Sequence, residues 1–149
     1  MSHRAGGTPS VRKTDDLESI RRFSLEAGLE DGTFEKIIAT YGYYVDDELA
    51  GCASLKKDGD WYAVEWLAVA DGLRGKGIGS MLVRKIETEA KMRGAERLWA
   101  LARAPRFFEK IGFRQSAPSD RPEGPTLSNC LLCKQYQKNC FPAIMVKNL

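Results

Sequence analysis

Apolar residues recur along this chain with two different periods, and the changes of period divide it into predicted elements. Short runs rich in β-branched and aromatic residues predict strands, whereas apolar residues three or four positions apart predict helices. The predicted strands are Val11–Lys13, Tyr41–Val45, Leu49–Leu55, Trp61–Val69, Leu98–Ala102, Phe113–Gln115 and Ala143–Val146. The predicted helices run from Asp15 to Gly28, from Phe34 to Thr40, from Ser80 to Met92 and from Ala104 to Ile111.

The order of these elements predicts how the sheet is built. Turn-like residues separate the three runs between Tyr41 and Val69, so these strands should form an antiparallel meander. A helix joins Trp61–Val69 to Leu98–Ala102, which makes that pair parallel with a right-handed connection. The first strand of the pair is apolar on both faces, as expected where helices cover a sheet from both sides. The pattern predicts an α/β domain with a mixed sheet of about six to seven strands flanked by helices.

Two of the predicted helices carry an apolar stripe that should face this sheet. The stripe consists of Leu17, Ile20 and Leu25 in the first helix, and of Met81, Leu82, Ile86 and Ala90 in the helix from Ser80. Gly28 and Gly94 follow the two stripes and are typical helix stops.

Length and composition limit the classes of protein to consider. A chain of 149 residues is expected to form one domain, at 11–149, after a flexible N-terminal tail at 1–10. The net charge of +3 is mild and the basic residues are scattered among acidic ones, so a nucleic-acid partner is not expected. No apolar run approaches the roughly 20 residues that cross a bilayer, and the start of the chain lacks a secretion signal. We therefore expect no membrane partner and a cytoplasmic location.

The C-terminal segment of this domain, residues 128–149, contains three of the four cysteines: Cys130, Cys133 and Cys140. Two thiolates at the Cys130 to Cys133 spacing could hold a structural metal, zinc rather than an iron–sulfur cluster, but three cysteines leave a tetrahedral site incomplete. Cys52 could be the fourth ligand, but it lies within a predicted strand. Packing of small buried residues is the favoured alternative, and a redox pair is a third. The only histidine is His3, in the predicted tail, which excludes most histidine-based catalysis and metal binding. We assign no metal ligands.

A glycine-rich stretch from Leu73 to Gly79 lies between the central strand and the helix from Ser80. Glycines allow sharp turns and leave backbone N–H groups uncovered, and the positive end of the following helix dipole points at the same place. The stretch therefore favours a diphosphate. Its spacing matches neither the P-loop nor the dinucleotide-binding fingerprint.

The spacing Arg74-Gly75-Lys76-Gly77-Ile78-Gly79 resembles Arg-x-x-Gly-x-Gly, the acetyl-CoA pyrophosphate loop of the GNAT superfamily of N-acetyltransferases. Phe107–Phe113 is similar to a second motif of that family. The resemblance implies the GNAT fold, in which the parallel strands splay apart and the pantetheine arm pairs with the first. It implies that pantetheine contacts Leu67, Ala68 and Val69. It further implies that the pyrophosphate is held by Arg74, Gly75, Lys76, Gly77, Ile78, Gly79 and Ser80.

The same resemblance implies direct attack of an amine on the acetyl thioester, with a backbone N–H near Leu67 stabilising the oxyanion. Glu65 is the one carboxylate within the apolar central strand and is our candidate general base. An equal alternative is that Glu65 simply faces solvent or forms an ion pair with a neighbouring Lys or Arg on the sheet face. Phe108 occupies the position where many members of the family have a tyrosine that protonates the leaving thiolate. A phenyl ring has no proton to give, so Phe108 would only pack against the sulfur end of the cofactor.

Four stretches between residues 41 and 149 are most similar to short amino-acid N-acetyltransferases of the N-acetylglutamate synthase type. They are Gly51–Leu55, Leu67–Gly79, Leu98–Leu101 with Phe107–Phe113, and Cys130–Lys147. The resemblance weakens on the acceptor side, because residues 29–40 contain no arginine and a carboxylate at Glu65 would repel an acidic substrate. Glutamate is therefore only one candidate acceptor.

The resemblance, together with these observations, implies an acetyl-CoA-dependent N-acetyltransferase for the amine of a small molecule such as an amino acid. The cosubstrate is acetyl-CoA, and a homodimer is left open. A CoA-binding sensor or regulatory module without turnover is one alternative, prompted by Phe108. A protein or peptide N-acetyltransferase is another, because acceptor grooves are built from weakly patterned loops.

Overall fold

The computed structural model of this chain describes residues 8–29, 35–102, 104–117 and 143–149. The strands within these ranges are β1 (Pro9–Lys13), β2 (Ile37–Val45), β3 (Glu48–Asp58), β4 (Trp61–Val69), β5 (Arg97–Ala102), β6 (Arg114–Gln115) and β7 (Ala143–Asn148). The helices are α1 (Leu17–Glu26), α2 (Ile78–Met92) and α3 (Pro105–Lys110), with a single 3₁₀ turn at Asp71–Leu73.

The described strands form one mixed sheet in the order β1-β2-β3-β4-β5-β7-β6. Strands β1 to β4 pair antiparallel in sequence order, β4 and β5 are parallel, and β7 pairs antiparallel with both β5 and β6. The predicted meander, the predicted parallel pair and the mixed sheet of about seven strands are confirmed.

The parallel pair separates soon after it begins. Its register contains only Ala63 opposite Trp99 and Val64 opposite Ala100. Beyond Val64, the second half of β4 pairs with β3 but has no partner residue in β5 among the described residues. A gap therefore opens between the two strands toward their carboxyl ends, which is the edge of an α/β sheet where ligands bind.

Helices cover β4 on both faces of the sheet. The face toward α2 holds the main core, in which Val64, Leu67 and Val69 of β4 pack against residues such as Leu82 and Ile86. The face toward α1 holds a smaller cluster formed by Ile20, Cys52, Trp66 and Ala68. This double coverage explains why β4 is apolar on both faces.

The two longer helices begin in different ways. Asp16 caps α1, because its carboxylate accepts a hydrogen bond from the Ser19 N–H at 3.3 Å. Gly77 precedes α2 in the left-handed conformation, with φ +82°, and no side chain in the described part of the chain caps that helix. The first N–H groups of a helix have no acceptor within the helix, so those of α2 point outward from an uncapped end.

Several sequence predictions are wrong in detail. The segment Phe34–Thr40 does not form the predicted helix, because Ile37 to Thr40 belong to β2 and pair with β3. Strand β1 begins at Pro9, within the predicted tail. Leu25 is 38% exposed because it points away from the sheet, and the buried position in that turn is Ser24. Met81 is only half-buried, and Val83 lies in the core beside Leu82.

The structure addresses metal binding and membrane-spanning helices only for the residues that it describes. Cys130, Cys133 and Cys140 lie outside the described residues, so the three interpretations of that segment stay predictions. Within 8–29, 35–102, 104–117 and 143–149, no group of side chains is arranged to bind a metal ion. None of the helices in these ranges has the length and apolar character needed to span a bilayer.

Candidate functional site

The glycine-rich loop lies directly before α2 and is open to solvent. Gly75 and Gly77 have φ of +79° and +82°, a region that side chains with a Cβ rarely adopt. Among the residues that the structure describes, none has an atom within 4 Å of a Cβ added at either position. Glycine is therefore required here by backbone conformation, and the space above both residues is free for a ligand.

Gly79 has a different role from the two glycines before it. A Cβ at Gly79 would lie 3.2 Å from two ring atoms of Phe107, so the missing side chain lets the start of α2 approach α3. Phe107 in turn contacts Phe108 edge to face, with ring centroids 5.1 Å apart. Gly79 thus fixes how the loop sits on the rest of the fold.

Phe108 itself is 6% exposed and belongs to the main core. Its ring stacks edge to face on Phe113 as well, at 5.1 Å. The ring that the structure places beside the glycine loop is Phe107, which sequence reasoning did not single out. The predicted cofactor contact of Phe108 stays a prediction.

The two basic residues of the loop are exposed. The Arg74 guanidinium folds back over the loop, where Nε donates to the Val69 carbonyl at 3.3 Å. It also pairs with Asp71 Oδ1 at 3.3 Å. These contacts link the loop to the end of β4 and place positive charge beside the uncapped start of α2, where an anion would be favoured.

Strand β4 contains a bulge next to the gap. Cys52 lies opposite Ala68 and Ser54 opposite Glu65, so Trp66 and Leu67 together face the single residue Ala53. Trp66 adopts φ +51°, which is strained for a bulky side chain. The extra residue re-aims the backbone of Leu67, Ala68 and Val69, the segment for which the sequence predicted pantetheine contacts.

A buried thiol lies beneath this bulge. Cys52 is 0% exposed, and its Sγ donates a hydrogen bond to the Trp66 carbonyl at 3.1 Å. The Ser24 hydroxyl of α1 lies 3.5 Å from the same sulfur. Burial raises the pKa of the Cys52 thiol to about 11, although hydrogen bonds from Ser24 and the Ala68 amide oppose this rise. The group is therefore a neutral donor at physiological pH.

The candidate base Glu65 is half-buried on the face of the sheet toward α1. Its side chain is 39% exposed, and its Oε2 lies 3.6 Å from Lys56 Nζ. Lys56 also lies over the Trp61 ring, 5.6 Å from the centroid. The ion pair expected under the alternative interpretation is present. The Glu65 carboxylate is nevertheless exposed enough for water or substrate to reach it, as a general base requires.

The structure brings most predicted site residues to one edge of the sheet. Leu67, Ala68 and Val69 end β4 beside the gap, and the stretch from Arg74 to Ser80 lies between β4 and α2. Sequence reasoning missed Phe107, Trp66, Cys52 and Ser24. The sequence carries no signal for the last three, since their contacts depend on the register of β3 and β4 and on how α1 packs.

The comparisons with known proteins agree with this geometry. The model of the acetyltransferase (GNAT) family matches residues 11–113. The curated blasticidin-S acetyltransferase of Streptomyces morookaense is 33% identical over 97 residues, which cover 61% of this chain and 71% of that protein.

Solved structures share the fold across almost the whole chain. N-acetylglutamate synthase from Neisseria gonorrhoeae, complexed with coenzyme A and N-acetyl-glutamate, superposes with a TM-score of 0.71 at 24% identity over 97% of this chain. This chain spans only 36% of the length of that synthase. The ribosomal-protein-S18-alanine N-acetyltransferase from Escherichia coli has a TM-score of 0.67 at 17% identity, with coverage of 95% and 94% of the two chains.

Proposed function

Because this chain belongs to the acetyltransferase (GNAT) family, we propose that it transfers the acetyl group of acetyl-CoA to the amine of a small molecule. The observation that carries the proposal is the open glycine loop at the uncapped start of α2, beside the gap between β4 and β5. The loop suits a diphosphate, and the gap suits an extended arm that pairs with a strand. CoA combines both features in one molecule.

The proposed donor site divides between these two features. The N–H groups from Arg74 to Ser80 bind the pyrophosphate, with Lys76 and Arg74 supplying charge. The backbone of Leu67, Ala68 and Val69 pairs with the pantetheine arm, as an added strand would. Similar proteins support this assignment, since the Neisseria gonorrhoeae synthase was solved with coenzyme A.

The proposed reaction is a single displacement at the thioester carbon. The amine nitrogen forms a bond to the acetyl carbon, the C–S bond breaks, and CoA leaves as the thiolate. The nitrogen loses a proton to Glu65, directly or through a water molecule, and the thiolate takes a proton from water because Phe108 cannot supply one. An N–H at Leu67 stabilises the oxyanion that forms during attack.

The donor half of the proposal is tested by titrating the protein with acetyl-CoA in a calorimeter. We expect saturable binding that Gly77→Glu abolishes, since this substitution places a carboxylate in the space proposed for the diphosphate. Gly94→Glu is the matched control, because Gly94 has φ +90° and no atom within 4 Å of an added Cβ. Both variants carry the strain of a side chain at positive φ, about 1–2 kcal/mol. Absence of wild-type binding at millimolar acetyl-CoA would overturn the proposal.

The acceptor half needs an assay of CoA thiol release over amino acids, cationic amines including an antibiotic, polyamines and peptides. The relatives with the similarities reported above are named for an antibiotic, an amino acid and a ribosomal protein, so the panel should contain all three classes. We expect turnover with a small amine. Neutral or cationic amines should exceed glutamate, because the proposed base Glu65 would repel an acidic acceptor.

A second candidate is a CoA-binding module without turnover. Two observations favour it: Phe108 has no proton to donate, and Glu65 is paired with Lys56. The same thiol-release assay separates the candidates. Acetyl-CoA binding without thiol release for any amine supports the module, whereas robust turnover rejects it.

A further inference from the structure

The thiol of Cys52 has one proton, and the geometry identifies the acceptor of its hydrogen bond. Sγ donates to the Trp66 carbonyl at 3.1 Å, so the Ser24 hydroxyl, 3.5 Å away, must donate to the sulfur. A chain of hydrogen bonds therefore runs from α1 through Ser24 and Cys52 to the backbone of β4. Both side chains that form these hydrogen bonds are buried, since Ser24 is 1% exposed and Cys52 is 0% exposed.

The carbonyl held by Cys52 belongs to the peptide that joins Trp66 to Leu67. In a planar trans peptide, the C=O and the following N–H point in opposite directions. The Trp66 carbonyl is directed at the Cys52 sulfur, on the β3 side of β4. We therefore expect the Leu67 N–H on the opposite side of β4, where β5 has separated from it. That side is the gap proposed for the thioester end of acetyl-CoA.

This peptide needs a restraint because it adjoins a strained residue. Trp66 has φ +51°, and two residues of β4 face one residue of β3 at this point. A bulge lacks the regular ladder hydrogen bonds that fix peptide planes elsewhere in a strand. Cys52 supplies a side-chain hydrogen bond where the ladder is interrupted, and its neutral thiol keeps that proton at physiological pH.

We infer that Cys52, supported by Ser24, is a positioning residue that aims the Leu67 N–H at the acetyl carbonyl oxygen. The inference rests on the proposed function, because it assigns to this N–H the role of oxyanion donor. Misalignment of such a donor weakens an interaction made mainly in the transition state. Loss of Cys52 should therefore lower kcat and leave CoA binding in the loop intact.

Steady-state kinetics of three variants tests this role. We expect Cys52→Ala to lower kcat by about 10- to 100-fold with the KM for acetyl-CoA changed by less than about 3-fold. Cys52→Ser keeps a hydroxyl donor and should restore kcat to within a few-fold of wild type, and Ser24→Ala should give an intermediate loss. Ile86→Val is a control for stability, since Ile86 is fully buried in the core around α2 and should leave kcat unchanged. Wild-type kcat in Cys52→Ala would overturn the inference.

A spectroscopic measurement keeps the inference separate from the choice of amine. In ¹⁵N-labelled protein, the Leu67 amide resonance should differ between the CoA and acetyl-CoA complexes, because only the second offers an acetyl carbonyl. Cys52→Ala should remove most of that difference, whereas Ile86→Val should keep it. A wild-type Leu67 resonance that is identical in both complexes overturns the inference even if turnover is found. If the resonance responds as expected but no amine is acetylated, the proposed function and the oxyanion role fail, and only the placement of the Leu67 N–H by Cys52 stands.

Discussion

Glu65 is the proposed acceptor of the amine proton. Its surroundings are compatible both with a general base and with an ordinary ion pair. A base must exchange protons with water or substrate, which the 39% exposure of Glu65 allows. An ion pair on a sheet face needs only a nearby cation, which Lys56 provides at 3.6 Å. Each partner can be removed separately, so the two roles are distinguishable.

We predict that Glu65→Gln lowers kcat/KM by about 10² to 10⁴, the range expected when a general base is lost. Lys56→Met keeps the carboxylate and should retain at least about a tenth of the activity. The measurement is kcat/KM for both variants and the wild type, under the same conditions. A Glu65→Gln variant with wild-type kcat/KM would assign Glu65 to the ion pair alone.

The contacts between elements depend strongly on one buried carboxylate. Glu89 of α2 accepts hydrogen bonds from Tyr41 of β2 at 2.9 Å, Lys13 of β1 at 3.1 Å and Arg93 at 2.8 Å. Arg93 also donates to the Ile38 carbonyl at 3.3 Å. This cluster ties α2 to the first two strands of the sheet, on the side away from the glycine loop.

The cluster predicts a loss of stability in acid. Burial alone raises the pKa of Glu89, but the hydrogen bonds from Tyr41, Lys13 and Arg93 outweigh burial and lower the pKa to about 2. The stabilisation is therefore complete above the unfolded pKa of about 4.5 and disappears as the pH falls toward 2. It amounts to about 3 kcal/mol. Glu89→Gln should unfold more easily in urea at pH 7 and show a much smaller further loss at pH 3.

Glu109→Gln is the control for this prediction, because Glu109 is exposed on α3. Its free energy of unfolding should follow that of the wild type at both pH values. Equal urea midpoints for Glu89→Gln and wild type at pH 7 would show that the cluster contributes nothing.

The sequence predicts the elements and the loop better than the contacts between elements. The loop from Arg74 to Gly79 is predictable because its conformation depends on local glycines. The segment Phe34–Thr40 is not, because its apolar spacing also fits a helix and only pairing with β3 makes residues 37–40 a strand, as in the buried hydrogen bond between Thr40 and Ser54 at 2.8 Å. Cys52 contacts Trp66 only because of the register between β3 and β4, so no local sequence pattern predicts its role.

At the scale of the whole molecule, the donor is expected to stabilise the fold by binding the native state only. A ligand at 100 times its Kd adds about 2.7 kcal/mol to the free energy of unfolding. We predict that CoA raises the Tm and that pantetheine, which lacks the diphosphate, raises it much less at the same concentration. Thermal unfolding with both ligands checks this. An equal shift from pantetheine would place the binding energy in the gap and remove the loop from the donor site.

The early separation of β4 and β5 also affects how the protein behaves without its donor. The end of β4 that faces the gap is a strand edge in the middle of the sheet, and such edges are templates on which extended peptides pair and aggregates grow. CoA bound in the gap would cover that edge. The empty protein is therefore expected to aggregate sooner than the bound form, and adding CoA during purification should increase the yield of dispersed protein.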